Sequence, residues 1–249
     1  VASIYGRPLR LNGAVCLGIS QSGQSPDLVE MMRAGRRGGA LSIAITNDAN
    51  SPLGAAASHC LALQAGVEQS VAATKTFVVS VLAGLSLLAE WQQDDALRKA
   101  VCDLPDALEK ALYLNWSPLA ARLSRANSAY VLGRGPAFAI ANEAALKLKE
   151  TCGMHAEAYS AAEVLHGPAA IVQSHFPVLA LGISDAALPH VVTTAERLAA
   201  QGADVFLTGT EAKGVTQLPS VPDLHPLVAP LVLATAFYGF VEALARRRG

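Results

Sequence analysis

Three serine hydroxyls cluster in a short turn near the start of the chain. Ser20, Ser22 and Ser25 surround Gly23, whose missing side chain permits a tight turn and a close approach to a ligand. The turn follows an apolar run that predicts a buried strand, and it precedes a segment that predicts an amphipathic helix. Because N–H groups at the start of a helix attract anions, phosphate above all, these residues predict an anion site. An ordinary turn, in which Ser25 caps the helix, explains them equally well.

A second set of candidate residues lies on a predicted helix in the later part of the chain. Glu143, Lys147 and Glu150 are spaced at i, i+4 and i+7, so their side chains share one face. From the spacing alone, a surface row of helix ion pairs is the favoured interpretation, at a few tenths of a kcal/mol per pair. The alternative is a catalytic group of acids and bases.

Several other kinds of site are excluded by spacing. No Gly-Lys-Ser or Gly-Lys-Thr comes after the serine turn, which excludes a Walker loop, and the three-glycine spacing of a dinucleotide-binding turn is absent. The four cysteines show no CxxC spacing, and the histidines show no HxxxH spacing. We therefore predict no metal and no other cofactor.

The composition predicts a globular protein with a substantial core. Of 249 residues, 52% are hydrophobic and 16% charged, and the net charge of −1 predicts no general attraction to nucleic acid or to an anionic membrane. The two long apolar segments, 77–89 and 227–241, are shorter than the roughly 20 residues of a membrane span and predict buried core helices. The start of the chain predicts no signal peptide, and the unpatterned cysteines predict reduced thiols, so we expect a cytoplasmic protein.

Strands alternate with helices along the chain, which predicts right-handed βαβ units and parallel sheets with strands buried on both faces. The predicted strands are 14–17, 41–46, 59–63, 129–132, 177–185 together with its turn, and 204–208. Ser70 is predicted to cap a helix that ends near Trp91, and a long closing helix is predicted over 223–248. The segment 115–118 gives the best boundary, so we predict a first domain at 1–115 and a second at 116–249.

The two halves contain a weak internal repeat. Residues 179–185 parallel residues 15–21, but the second copy lacks the subsequent Ser-Gly, and Asp185 would repel a phosphate. Only the first half is therefore predicted to bind an anion. The second half has an additional strand and helix, 129–153, before the repeated segment, so we predict that the first domain lacks its opening β-α segment.

The Ser-Gln-Ser-Gly sequence at 20–23, with a helix after it, resembles the phosphate loop of the sugar isomerase (SIS) domain family. The resemblance implies an α/β fold with two parallel-sheet αβα sandwich domains of the flavodoxin-like kind. It also implies a set of residues that contact the phosphate, namely Ser20, Gln21, Ser22, Gly23 and Ser25.

Later stretches resemble the isomerase half of the glutamine:fructose-6-phosphate amidotransferases. These stretches are 71–75, 144–150, 155–159 and 163–168. The resemblance implies that Val71 and Ala73 line the sugar pocket, with Ala73 standing where the family usually has serine. It further implies that Glu150 moves a proton between C1 and C2 of the open-chain sugar, that Lys147 assists it, and that His166 catalyses ring opening.

These residue types suit the isomerisation of a sugar phosphate at neutral pH. A carboxylate can take a carbon-bound proton and return it one atom away, and a histidine titrates near the pH at which a ring-opening acid or base works. The resemblance implies that His166 reaches the site of a neighbouring subunit, so we expect a homodimer that binds a sugar phosphate.

The resemblance implies an aldose–ketose isomerase or amino-sugar-phosphate deaminase of amino sugar metabolism, without a cofactor. The leading expectation is conversion of glucosamine 6-phosphate to fructose 6-phosphate and ammonia. Two alternatives stay open, a regulatory module that only binds a sugar phosphate and the isomerase part of a glucosamine-6-phosphate synthase.

Overall fold

The computed structural model describes residues 2–249, which divide in sequence between Gln93 and Asp94 into two compact units. The first unit contains the helices α1 (Ala2–Tyr5), α2 (Pro26–Arg37), α3 (Pro52–Ala56) and α4 (Lys75–Gln92), and the strands β1 (Val15–Ser20), β2 (Leu41–Thr46) and β3 (His59–Ala62). The predicted strands of this half are thus confirmed to within a few residues.

The first unit is built on a parallel sheet of strand order β1-β2-β3. Its core lies where α2 and α3 pack on one face of the sheet, around Val29, Met32 and Leu53. On β1, however, Val15 and Ile19 are 42% and 48% exposed. The prediction that this strand is buried on both faces is therefore wrong. Among the described residues β1 has one neighbouring strand, β2, so β1 is an edge strand and its side away from β2 is not covered by another strand.

The second unit is larger. It contains the helices α5 (Asp95–Cys102), α6 (Leu104–Ala111), α7 (Ser117–Leu123), α8 (Pro136–Cys152), α9 (Leu188–Ala200) and α10 (Ala229–Arg248), and the strands β4 (Ser128–Gly133), β5 (His155–Ser160), β6 (Pro177–Ala180), β7 (Asp204–Leu207) and β8 (Thr216–Gln217). Two 3₁₀ turns, Glu163–His166 and Pro168–Ile171, come after β5.

All strand pairs of the second sheet are parallel, in the order β5-β4-β6-β7-β8. The predicted parallel α/β architecture is confirmed in both units. Every residue of β6 is buried, since β6 has β4 on one side and β7 on the other. The helices α8 and α10 pack against each other, so an apolar helix pair accompanies this sheet.

The helix α10 is long and apolar enough to cross a membrane by length and composition, but 61% of its apolar window is buried. It contacts α6, α7 and α8, as the predicted buried core helix should. It begins at Ala229 and not at the predicted residue 223, because Asp223 has a left-handed φ of 57° and Pro226 restricts the residue before it.

The region between the two sheets is helical. The predicted interruption at Pro105 is present, since α5 ends at Cys102 and α6 starts at Leu104 with this proline in its first turn. Both helices group with the second unit, and α6 packs on α10. The domain limits of 1–115 and 116–249 stay a prediction.

Candidate functional site

The serine turn of the first unit is held in one conformation by Gly23. This glycine has a φ of +64°, and a Cβ added to it would lie 2.1 Å from Ser51 Oγ. Its carbonyl oxygen accepts the N–H of Leu53 at 3.1 Å, and Ser51 Oγ in turn accepts the N–H of Gly54 at 3.3 Å. The turn after β1 is therefore locked against the start of α3, which explains why a glycine stands at this position.

The serine hydroxyls of the turn keep their protons available. Ser20 Oγ accepts the N–H of Gly23 at 3.1 Å, and Ser22 Oγ accepts the N–H of Gln24 at 3.3 Å. Each hydroxyl thus acts as an acceptor within the turn, and its O–H is left to donate to another group. This arrangement suits an anion above the turn.

Ser25 and Gln21 flank these hydroxyls. Ser25 stands at the N-cap of α2, but its side chain makes no capping hydrogen bond, so the alternative of an ordinary serine-capped helix is wrong. The side chain of Gln21 is exposed, whereas its carbonyl oxygen accepts the N–H of Asn47 at 3.1 Å. Both predicted phosphate contacts therefore lie at the turn with free side-chain groups to offer.

The segment before α4 differs from its prediction at the helix start. The helix begins at Lys75 rather than at Ser70, and Glu68 satisfies its first turn by accepting the N–H of Thr76 at 3.0 Å and its O–H at 2.7 Å. Burial alone would raise the pKa of Glu68, but these hydrogen bonds and the charge of Lys75 outweigh it and hold the pKa below its ordinary value.

The two predicted sugar-pocket residues lie in the loop between Glu68 and α4. Val71 is fully exposed, and Ala73 is half-buried. The side chain of Val71 is therefore in solvent, where exposed apolar residues are common and do not by themselves indicate a ligand. The role of both residues in a sugar pocket stays a prediction.

Three charged residues of α8, Glu143, Lys147 and Glu150, form a continuous chain of ion pairs in the second unit. Lys147 Nζ lies 3.2 Å from Glu143 Oε1 and 2.9 Å from Glu150 Oε2. Lys147 is 4% exposed and Glu143 8% exposed, whereas the side chain of Glu150 is 34% exposed. A solvent-facing row of ion pairs would leave all three in water, so that interpretation is wrong for Glu143 and Lys147.

The charge state of Lys147 follows from its two carboxylates. Burial alone would lower its pKa, but the hydrogen bond to Glu150 and the negative charge of Glu143 outweigh this and raise the pKa above its ordinary value. The ammonium therefore stays charged at neutral pH. It fixes one oxygen of Glu150 while the carboxylate stays partly open to solvent, which is an arrangement that a general base can use.

A further residue of this cluster was not predicted from the sequence. Tyr238 on α10 donates its hydroxyl to Glu143 Oε1 at 2.8 Å, although 95 residues separate the two in sequence. The sequence contains little indication of this residue, since Tyr238 is a single tyrosine hydroxyl within an apolar helix. Glu68 was missed for a similar reason, because its bond to Thr76 spans eight residues of irregular chain.

His166 stands apart from this cluster within the second unit. It ends the first 3₁₀ turn and is exposed, and Gly167 with a φ of +152° leads into the second turn. The hydroxyl of Tyr130 on β4 donates to the carbonyl oxygen of Pro168 at 3.0 Å, which ties this loop to the sheet. Among the described residues, His166 makes no hydrogen bond or ion pair with the three α8 groups.

Comparisons with known proteins agree on one family. The model of the SIS domain matches residues 8–90 and 122–215, well over half of the chain. The chain is 33% identical over 249 residues to the glutamine–fructose-6-phosphate aminotransferase (isomerizing) of Zymomonas mobilis, with 92% of this chain and 41% of that protein covered. An enzyme of that name from Thermus thermophilus is also 33% identical, with 92% of this chain and 40% of that protein covered. The chain thus spans about two fifths of the length of these relatives.

Solved structures give the same result for the fold. A protein from Silicibacter pomeroyi, provisionally described as a phosphosugar isomerase, is 49% identical with a TM-score of 0.97, with 100% of this chain and 76% of that one covered. The C-terminal domain of glucosamine-fructose-6-phosphate aminotransferase from Francisella tularensis is 25% identical with a TM-score of 0.82, with 98% and 74% covered. The predicted α/β fold class is confirmed, and the chain is a member of the SIS domain family.

Proposed function

We propose that this chain catalyses proton transfer within a sugar phosphate, with Glu150 as the base and the serine turn as the phosphate site. The observation that carries this proposal is the buried ammonium of Lys147, which holds one oxygen of Glu150 at 2.9 Å and leaves the carboxylate partly open to solvent. A structural ion pair has no need of a second buried carboxylate on the same lysine, since burying charge costs free energy.

The proposed reaction needs a base that gives back the proton it takes. In an open-chain aldose phosphate, Glu150 removes the proton from C2, the electron pair forms the C1–C2 double bond, and O1 takes a proton from water to give an enediol or enolamine. The carboxylic acid then returns its proton to C1, while the hydroxyl or amine at C2 gives up a proton to water and becomes a carbonyl or imine. Lys147 stabilises the carboxylate before the transfer, while the phosphate contributes binding free energy away from the reacting carbons.

Glucosamine 6-phosphate is the substrate we propose first. After the proton transfer, the nitrogen at C2 forms an imine, and attack by water releases ammonia and leaves the ketone of fructose 6-phosphate. The aminotransferase relatives act on fructose 6-phosphate by their names, which supports a 6-phosphate of this carbon skeleton. A glucosamine-6-phosphate deaminase from Thermotoga maritima shares the fold, at 18% identity and a TM-score of 0.77.

His166 is proposed to open the sugar ring in the site of a second subunit. Its exposure at the end of a 3₁₀ turn, away from the α8 groups of its own unit, supports this role. We therefore propose a homodimer. Gel filtration that gives only a monomer at the concentrations used for assay would contradict it.

A cytoplasmic location is also part of the proposal. It is supported by the four cysteines, which form no disulfide.

A regulatory module that only binds sugar phosphate is the second candidate. It is favoured by the location of the serine turn and the α8 cluster in different units, the first and the second. Such a module would bind through Ser20 and Ser22 and would not require Glu150. The two candidates therefore make opposite predictions for one variant.

Phosphorus NMR tests the proposal directly. The chain is mixed with glucosamine 6-phosphate, and the fructose 6-phosphate signal is followed over hours in the wild type and in Glu150→Gln. We expect the product signal in the wild type and at least a hundredfold slower appearance, about 2.7 kcal/mol, in the variant. A substrate signal that broadens without product would support the binding module, and equal rates in both proteins would exclude Glu150 as the base.

A further inference from the structure

The α8 cluster contains more negative charge than its single lysine can satisfy. Glu143 and Glu150 both contact Lys147 Nζ, and Glu143 is the more deeply buried of the two. A buried carboxylate that shares its only cation would draw that cation toward itself, because it has less water to stabilise it. Lys147 would then be pulled away from Glu150, the proposed base.

Tyr238 provides the missing stabilisation of Glu143. Its hydroxyl donates to Oε1 at 2.8 Å, and Lys147 Nζ lies 3.2 Å from that same oxygen. A hydrogen bond to a carboxylate is stronger than one between neutral groups, so Tyr238 carries part of the charge that Lys147 would otherwise balance alone. The bond joins α10 to α8, two helices that pack along each other within the second unit.

We propose that Tyr238 is a positioning residue for the isomerisation, which through Glu143 sets how the Lys147 ammonium is divided between Glu143 and Glu150. The inference rests on the proposed function, in which Glu150 is the base. In this proposal Tyr238 acts through Glu143, to which its hydroxyl donates, and not on the sugar itself. Its hydroxyl occupies one oxygen of Glu143, and Lys147 is thereby left at 2.9 Å from Glu150.

A double-variant cycle tests this chain of contacts. Tyr238→Phe removes one oxygen atom and keeps the ring, and we expect kcat to fall about fivefold to tenfold with KM unchanged, since phosphate binding is untouched. In the Glu143→Gln background Tyr238→Phe should change kcat less than about twofold, because the charge it acts on is gone. An undiminished fall in that background would overturn the proposal.

Thr235→Val is the matched control on the same helix. The Thr235 hydroxyl donates to the carbonyl oxygen of Leu231 at 3.0 Å, within α10, so this variant also loses one helix-borne hydroxyl but none in the cluster. We expect its kcat to match the wild type. Equal losses of kcat in Thr235→Val and Tyr238→Phe would mean that the effect arises from α10 packing and would overturn the proposed positioning.

A second readout keeps the inference separate from the proposed function. The ¹⁵Nζ NMR signal of Lys147, assigned by its loss in Lys147→Met, reports the surroundings of the ammonium without any turnover. We expect the signal to move in Tyr238→Phe and to stay in place in Thr235→Val. A signal that is identical in wild type and Tyr238→Phe would overturn the inference whatever the turnover. Undiminished turnover by Glu150→Gln would overturn the proposed function, and a signal that still moved in Tyr238→Phe would then report only the contact between Tyr238 and the cluster.

Discussion

Two turns of this molecule carry the same four residues, Leu-Gly-Ile-Ser, at 17–20 and 181–184, and they differ in the residues that come next. In the second turn, the carboxylate of Asp185 accepts the N–H of Ala187 at 2.8 Å, next to the start of α9. In the first turn, Ser25 stands at the N-cap of α2 and makes no such bond. One turn is closed by a carboxylate of its own, and the other is the turn at which we propose an external anion.

The strands that lead into the two turns differ as well. β6 lies between β4 and β7 and is buried throughout, whereas β1 is at the edge of the first sheet and is exposed at Val15 and Ile19. Both strands are apolar where the repeat covers them, at 15–16 and 179–180, so their difference in burial here reflects the number of neighbouring strands. The comparison teaches that a repeat in sequence determines the local turn but neither its ligand nor its surroundings.

The largest effect is expected where the first turn is most constrained. Gly23→Ala would place a methyl group 2.1 Å from Ser51 Oγ at a φ of +64°, so overpacking and backbone strain add. We expect the first unit to lose about 3 kcal/mol of unfolding free energy. Amide hydrogen exchange in peptides from β1 and β2 measures this loss.

Gly66→Ala is the matched control for that prediction. Gly66 has a φ of +68°, but no atom lies within 4 Å of an added Cβ, so only the backbone strain applies. We expect a loss of about 1 kcal/mol. Equal losses in the two variants would mean that the contact with Ser51 does not hold the first turn.

The sequence was sufficient for features that depend on residues close in the chain. The serine turn, the break at Pro105 and the parallel strands could be predicted from turn residues, from proline chemistry and from alternation of strands with helices. Burial of Lys147 could not, because the spacing of α8 charges is the same for a solvated face and for a cluster covered by α10. What covers a helix face depends on residues far away in the chain, such as Tyr238, which is 95 positions from Glu143, and the spacing contains no record of it.

The next largest effect is expected in phosphate binding, which should distinguish the turn after 17–20 from the turn after 181–184. Ser22→Ala removes a hydroxyl whose proton is free to donate, and we expect glucosamine 6-phosphate to bind about tenfold more weakly, equal to about 1.4 kcal/mol for a hydrogen bond to a charged group. Ser184→Ala, in the turn that Asp185 closes, should leave the affinity unchanged. Isothermal titration calorimetry in the Glu150→Gln background measures both without turnover. A larger loss for Ser184→Ala would place the phosphate at the second turn.

The smallest effect is expected at the start of α4 in the first unit, where the carboxylate of Glu68 accepts a backbone N–H that the helix leaves unpaired. Glu68 accepts the N–H and O–H of Thr76, and its pKa is held below the ordinary value by those bonds. The stabilisation is therefore present above the ordinary pKa of a glutamate and is lost as the pH falls through the lowered pKa of the folded state. We expect Glu68→Gln to cost about 1 kcal/mol at pH 7 and less at acidic pH.

Urea denaturation followed by circular dichroism between about pH 7 and about pH 3, which extends below the ordinary pKa of a glutamate, measures this change. Asp27→Asn serves as the control, since Asp27 is an exposed carboxylate in the first turn of α2, the helix start that we assign to an external anion. Its effect on stability should be smaller than that of Glu68→Gln at neutral pH. If Glu68→Gln cost the same at both ends of the pH range, the ionised carboxylate would not be what holds the start of α4. Closure of a helix start by a carboxylate of the chain would then be supported only at α9, in the second unit, where Asp185 accepts the N–H of Ala187.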